Sequence, residues 1–200
     1  MKLIIAWSLL ALVTTGTDAA AQEDSSRAVR GEEAARQASG LNPLTGTYRE
    51  VGSSDAEIGR KVLAATAHLD SAEREKQAAA LIRALQAPQL FAIEQYGTTV
   101  TLNQPPGRRV PYDADGRLRT IAVPGGDTIT TRARVEGRRL TIDLIWSGGE
   151  RLRLDFEKAP GEPELTFTRT AVSRNLTRPI SVVSEYEQVS PRATRNFKGQ

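Results

Sequence analysis

The chain has 200 residues, with 27 lysines and arginines against 24 acids, a formal net charge of +3, one histidine and no cysteine. So small a cationic excess argues against a dedicated nucleic-acid binder, which concentrates positive charge on one face or stripe. The absent cysteines exclude disulfides, thiol nucleophiles and lipidation at a cysteine, and a lone His68 argues against the usual zinc sites and a histidine-rich catalytic cluster.

In chain order, Met1-Lys2 gives a short basic start, Leu3 to Val13 an apolar run, and Ala19-Ala20-Ala21 the small residues that a signal peptidase accepts. Thr14, Thr15 and Asp18 interrupt the run before it reaches the roughly twenty apolar residues of a membrane span. The expectation is a signal peptide over 1–21, cleaved before Gln22, and an exported protein, periplasmic or extracellular, with no stable span after cleavage. Residues 22–42 carry Glu, Arg, Ser, Ala and Gly without an apolar stripe and read as a flexible leader. A single domain is expected over 43–190, followed by a flexible tail at 191–200.

The domain opens at Gly46-Thr47-Tyr48, a strand. Ser54-Asp55-Ala56-Glu57 is a capping box, after which Ile58, Val62, Ala65 and Leu69 share one face of a helix near 55–69. Asp70 or Ser71 caps a second helix near 71–87, whose stripe is Ala78, Leu81, Ile82 and Leu85 and whose end Pro88 enforces. From Leu90 onward the pattern changes to alternation. Phe91 and Ile93, then Val100 and Leu102, set buried faces, and Asp115-Gly116 signals a hairpin turn. Ile129, Thr131, Ala133 and Val135 share a face, as do Leu140, Ile142, Leu144 and Trp146, and then Leu152, Leu154 and Phe156. Leu165 to Ser173 and Ile180 to Val189 complete eight to ten strands. One wet and one buried face throughout imply an antiparallel sheet. A sheet of this size disposes of its edges by curling or closing. The fold class is therefore mainly β, an antiparallel up-and-down meander closing into a barrel or half-barrel, with a two-helix hairpin inserted after the first strand.

Gly46-Thr47-Tyr48 on the first strand, the helix pair before the second, and a last strand reading Ser184-Glu185-Tyr186-Glu187-Gln188-Val189 resemble the calycin group. Within it they are most similar to the intracellular fatty-acid-binding proteins and the bacterial lipocalin-like proteins. The resemblance implies a lipocalin-like barrel. In the fatty-acid-binding family the first strand carries Gly-x-Trp, and the last an Arg two residues before a Tyr, which together hold a carboxylate inside the barrel. Tyr48 stands at the Trp and Tyr186 matches the Tyr, whereas Ser184 occupies the place of the Arg.

Parity places Arg169 inward with Leu165 and Phe167, and Tyr186 on the face of Val182 and Ser184. A buried cation requires a partner or an anionic ligand. Glu50, in phase with Tyr48, and Glu94, in phase with Leu90, are candidate partners, although a one-residue slip would turn all of these side chains to solvent. The candidate ligand-binding residues are thus Tyr48, Glu94, Arg169, Ser184 and Tyr186, with no cofactor and no metal site expected. No Gly-x-Ser-x-Gly elbow or Ser-x-x-Lys pair is present, and the spacing of Glu94, Asp143 and Asp155 does not favour paired-carboxylate hydrolysis. Asp113-Ala114-Asp115-Gly116 resembles part of a calcium loop, but Pro124 stands where the bidentate acid belongs. Two functions follow: a barrel that holds a small apolar or amphipathic molecule, and a filled barrel that acts in the envelope through its outer face. An enzyme ranks third.

Overall fold

The computed structural model describes residues 43–105, 108–122, 127–195 and 197. The expected signal peptide and leader lie outside them. Ten strands form one antiparallel sheet: β1 (Gly46–Glu50), β2 (Leu90–Tyr96), β3 (Thr99–Gln104), β4 (Arg108–Asp113), β5 (Asp115–Ala122), β6 (Thr128–Glu136), β7 (Arg139–Trp146), β8 (Arg151–Lys158), β9 (Glu164–Val172) and β10 (Ile180–Ser190). Their order is β4-β3-β2-β1-β10-β9-β8-β7-β6-β5. The meander therefore closes through the β1–β10 pair and leaves β4 and β5 as its two ends. It is a nearly closed up-and-down barrel, with the helix pair between the first strand and the second, as the order of elements predicts.

Asp115-Gly116 was expected to turn a hairpin, and it does not. Gly116, at φ 78°, lies inside β5, where the register with β6 slips between Asp115 and Leu118. A residue in the left-handed region opens a bulge and bends the strand. This carries β5 away from β4, although the two are consecutive. Arg119 spans the junction, with its Nη1 2.7 Å and Nη2 2.8 Å from the two carboxylate oxygens of Asp115 and its Nε 3.2 Å from Asp113.

The helices are α1 (Asp55–Thr66) and α2 (Ser71–Leu85). α1 buries Ile58, Val62 and Ala65 and packs toward β10, where Lys61 Nζ donates to the Ser181 carbonyl at 2.7 Å. α2 packs toward β9. Asp70 caps it by accepting from the Glu73 amide at 2.9 Å, one of the two residues expected there. The capping box at Ser54 does not form, because the Ser54 hydroxyl is drawn into the barrel and donates to Glu50 Oε1 at 3.2 Å.

The inner faces follow the alternation. Leu140, Ile142 and Leu144 of β7, Leu152, Leu154 and Phe156 of β8, and Leu165 and Phe167 of β9 are buried together with Ile93, Val100, Leu102 and Val182. The outer face of β7 and β8 also buries charge. Asp155 accepts from Thr141 at 2.8 Å, Arg139 at 3.0 Å and Arg153 at 3.0 Å, and Asp143 from Arg151 at 2.7 Å. Burial alone would raise the Asp155 carboxyl, yet the hydroxyl and two guanidiniums hold it below its ordinary value. A depressed carboxylate contributes stability that is present above about pH 4 and lost as pH falls through its folded pKa. Replacing Asp155 by Asn should flatten the acid limb of a melting-temperature profile below that pH, and an unchanged acid limb would refute this role.

Residues 192–195 lie against the outside of β1. Thr47 Oγ1 donates to the Arg192 carbonyl at 2.8 Å and accepts from the Thr194 amide at 3.0 Å, while Arg195 Nε lies 3.1 Å from Glu94 Oε1. Thr47 can recruit them because it points outward, opposite to Tyr48.

Candidate functional site

The helix hairpin covers a polar cluster built around Arg169. Its side chain extends from the inner face of β9 and is 0% exposed. Nη1 donates to the Leu85 carbonyl at 2.6 Å, at the C-terminal end of α2, and Nη2 donates to Ser184 Oγ at 2.6 Å and Ser54 Oγ at 3.3 Å. Ser184 donates onward to Ser54 at 3.0 Å, and Ser54 to Glu50. The guanidinium carbon sits 5.0 Å from the centre of the Phe167 ring, which offers its electron-rich face. Nε is buried without a partner among the described residues.

Burial lowers the Arg169 pKa, and the more distant carboxylates of Glu50, Asp55 and Glu57 oppose that shift. The group stays charged regardless. No carboxylate among the described residues forms an ion pair with it. The end of α2 supplies a partial negative charge through its free carbonyls, which accounts for the choice of Leu85 as partner, but a helix end carries only about half a unit charge.

The sequence-derived residues separate into three groups. Arg169 and Ser184 come together as hydrogen-bonded neighbours, and Glu50 joins them through Ser54. Ser184 lies on β10, and the guanidinium that it meets comes from the adjacent strand β9. Tyr48 and Tyr186 are fully buried on the inner wall, with hydroxyls that donate to the Leu44 carbonyl at 2.9 Å and the Pro88 carbonyl at 2.7 Å. Desolvation pushes both phenols well above their ordinary range. Glu94 is not part of the cluster. The buried inward residues of β2 are Phe91 and Ile93, so Glu94 takes the outer face and pairs with Arg109 at 3.4 Å and with Arg195.

Ser54 and the Leu85 carbonyl went unread in the sequence. A capping serine and a helix end announce local roles, and their meeting beneath the hairpin depends on how the helices dock. Beside the cluster, Phe91 touches Tyr48, Phe156, Phe167 and Tyr186, with ring centres 4.8–6.1 Å apart. Phe156 and Phe167 stack at 4.2 Å. These rings fill the barrel along β1, β2 and β8 to β10. On the opposite side Tyr112 of β4 has a desolvated phenol, raised to about 12, while its side chain keeps accessible surface. Where α2 meets the β7–β8 end of the barrel, a cleft lined by Leu81, Ala84, Trp146, Glu150 and Leu152 has a volume of about 20 Å³, enough for one water.

Gly46 explains its place in the first-strand motif. A Cβ there would collide with the Gln188 carboxamide and come within 2.9 Å of the Ser190 carbonyl oxygen. Gly46→Ala should destabilise the fold by about 1–3 kcal/mol through overpacking, measured by denaturant unfolding. A wild-type midpoint would show that β10 shifts without cost.

No family model and no curated protein matches the sequence. Among solved structures, a luciferase domain from the dinoflagellate Lingulodinium polyedrum is similar over 77% of this chain and 44% of that one, at 17% identity and a TM-score of 0.50. The chain thus spans less than half the length of that protein. Lipid binding protein 8 of Caenorhabditis elegans is similar over 74% of this chain and 96% of that one, at 12% identity and a TM-score of 0.46. The fatty-acid-binding protein of Manduca sexta is similar over 72% and 98%, at 18% identity and a TM-score of 0.42. The likeness to the luciferase domain is one of fold.

Proposed function

We propose that the barrel holds a small amphipathic molecule whose acidic or polar head is anchored by Arg169, with Ser184 and Tyr186 beside it and the inner apolar face as wall. The observation that carries this reading is the fully buried guanidinium with only neutral acceptors and an unpartnered Nε. Enclosing a cation without a counter-charge costs several kcal/mol, and an anionic head would supply that charge together with acceptors. Tyr48 belongs to the wall, and Tyr186 can still accept a hydrogen bond through its oxygen.

An anilinonaphthalene sulfonate dye tests the proposal. It should bind saturably with a blue-shifted emission and be displaced by decanoate. Absence of saturable binding to the folded protein would defeat it. A second reading has its own support, since the five-ring cluster and the committed tyrosine hydroxyls are what a barrel filled by its own side chains would show. In that case neither dye nor decanoate binds, and function lies on the outer face.

We also propose export, from the basic start, apolar run and small residues of positions 1–21. Protein recovered from the cell envelope or medium should begin at Gln22, and an intact Met1 would contradict it.

A further inference from the structure

The end of the barrel away from the helices holds a second buried cation that the Arg169 site does not use. Lys158, the last residue of β8, follows Leu154 and Phe156 onto the inner face and is 8% exposed. Its ammonium donates to Gln188 Oε1 at 2.7 Å and lies 5.9 Å from the centre of the Tyr48 ring. An ammonium has three donors, and this is the only hydrogen bond it makes to the described residues. Beside it is Arg138, in the turn between β6 and β7, whose carbonyl accepts from the Lys158 amide at 3.1 Å. Its Nε is buried without a partner among the described residues. Neither group forms an ion pair with an acid among the described residues.

The charges of Lys158 and Arg138 repel one another, and burial takes hydration from the ammonium. Burial, reinforced by the Arg138 charge, lowers the Lys158 pKa. The surrounding chain nevertheless fixes the arrangement. Gln188 is oriented by donating its Nε2 to the Thr45 carbonyl at 3.1 Å, and its carboxamide passes over Gly46, where no side chain could stand. We propose that Lys158 and Arg138 form an oxyanion site at this end of the barrel, taking a phosphate or carboxylate group. The lysine supplies a compact charge and the arginine a planar set of donors, a pairing suited to several oxygens on one centre. Arg138 is only half-buried, so a small oxyanion can reach the site from solvent without entering past the helices.

Calorimetric titration of the full chain with sodium phosphate and with decyl phosphate, against sodium chloride at matched ionic strength, tests this. Inorganic phosphate should bind saturably, at least tenfold more weakly to Lys158→Gln and Arg138→Gln. Phosphate binding that is lost from Arg169→Met and kept by Lys158→Gln would place the anion under the hairpin and overturn the proposal. In Arg169→Met, which lacks the other anchor, tenfold tighter binding of decyl phosphate than of phosphate would identify the head of an amphipathic molecule, and equal affinities a free oxyanion. Either result supports the site. If the variants fail to fold, the 13Cε resonance of Lys158 in the wild-type protein should move as phosphate is added. A stationary resonance, or phosphate heats no larger than those of chloride, would overturn the proposal.

Discussion

Replacing Phe91 by alanine should lower unfolding stability by about 3–5 kcal/mol, the usual cost of truncating a fully packed aromatic. The loss belongs at the upper end because Phe91 is the hub of the cluster, in contact with Tyr48, Phe156, Phe167 and Tyr186. Its edge-on contact with Tyr186, at 4.8 Å and 72° between ring planes, adds a favourable arrangement beyond area burial. It also joins β2 to the β8–β10 side across the barrel interior, where the sheet supplies no hydrogen bonds. Phe91→Leu should recover part of the loss by refilling the volume. Denaturant unfolding monitored by circular dichroism measures both, and a cost below about 1 kcal/mol for alanine would mean that the cluster is loose enough to collapse.

Arg169→Met should separate stability from binding. A buried cation exchanged for an apolar side chain of similar volume is often neutral or stabilising, and here Ser54, Ser184 and Glu50 already bond among themselves. The Leu85 carbonyl loses its partner, which costs about 1 kcal/mol. The melting temperature should therefore change little. Affinity for decanoate should fall at least thirtyfold, since removing one partner of a buried, hydrogen-bonded charge pair costs about 2–5 kcal/mol. If decanoate binds the variant as it binds the wild type, Arg169 is a structural tie between α2 and the barrel and not an anchor.

The architecture was legible because it rests on repetition. Alternation set the faces of β6 to β9 residue by residue, and parity alone turned Arg169, Ser184 and Tyr186 inward. Each exception has a local cause that parity does not carry. Asp115-Gly116 has the letters of a hairpin, but the same positive φ serves a bulge, and only the pairing of β5 with β6 decides between them. Glu94 was counted in phase with Leu90, whereas Phe91 and Ile93, with the larger apolar burial, set the register of β2. Ser54 left its cap because Arg169 and Glu50 compete for its hydroxyl. Lys158 was within reach of the same parity as Phe156, yet a lysine at a strand end reads as surface. Its burial follows from Gln188 and Arg138, which are distant in sequence.

Native mass spectrometry of the protein purified from its own cells tests the central claim most directly. The account predicts a population heavier than the bare polypeptide by one small molecule, released on denaturation as an acidic amphipathic compound and absent from Arg169→Met. A folded protein that shows only the polypeptide mass, and still does after incubation with excess decanoate, would contradict it and leave the filled barrel as the reading of this fold.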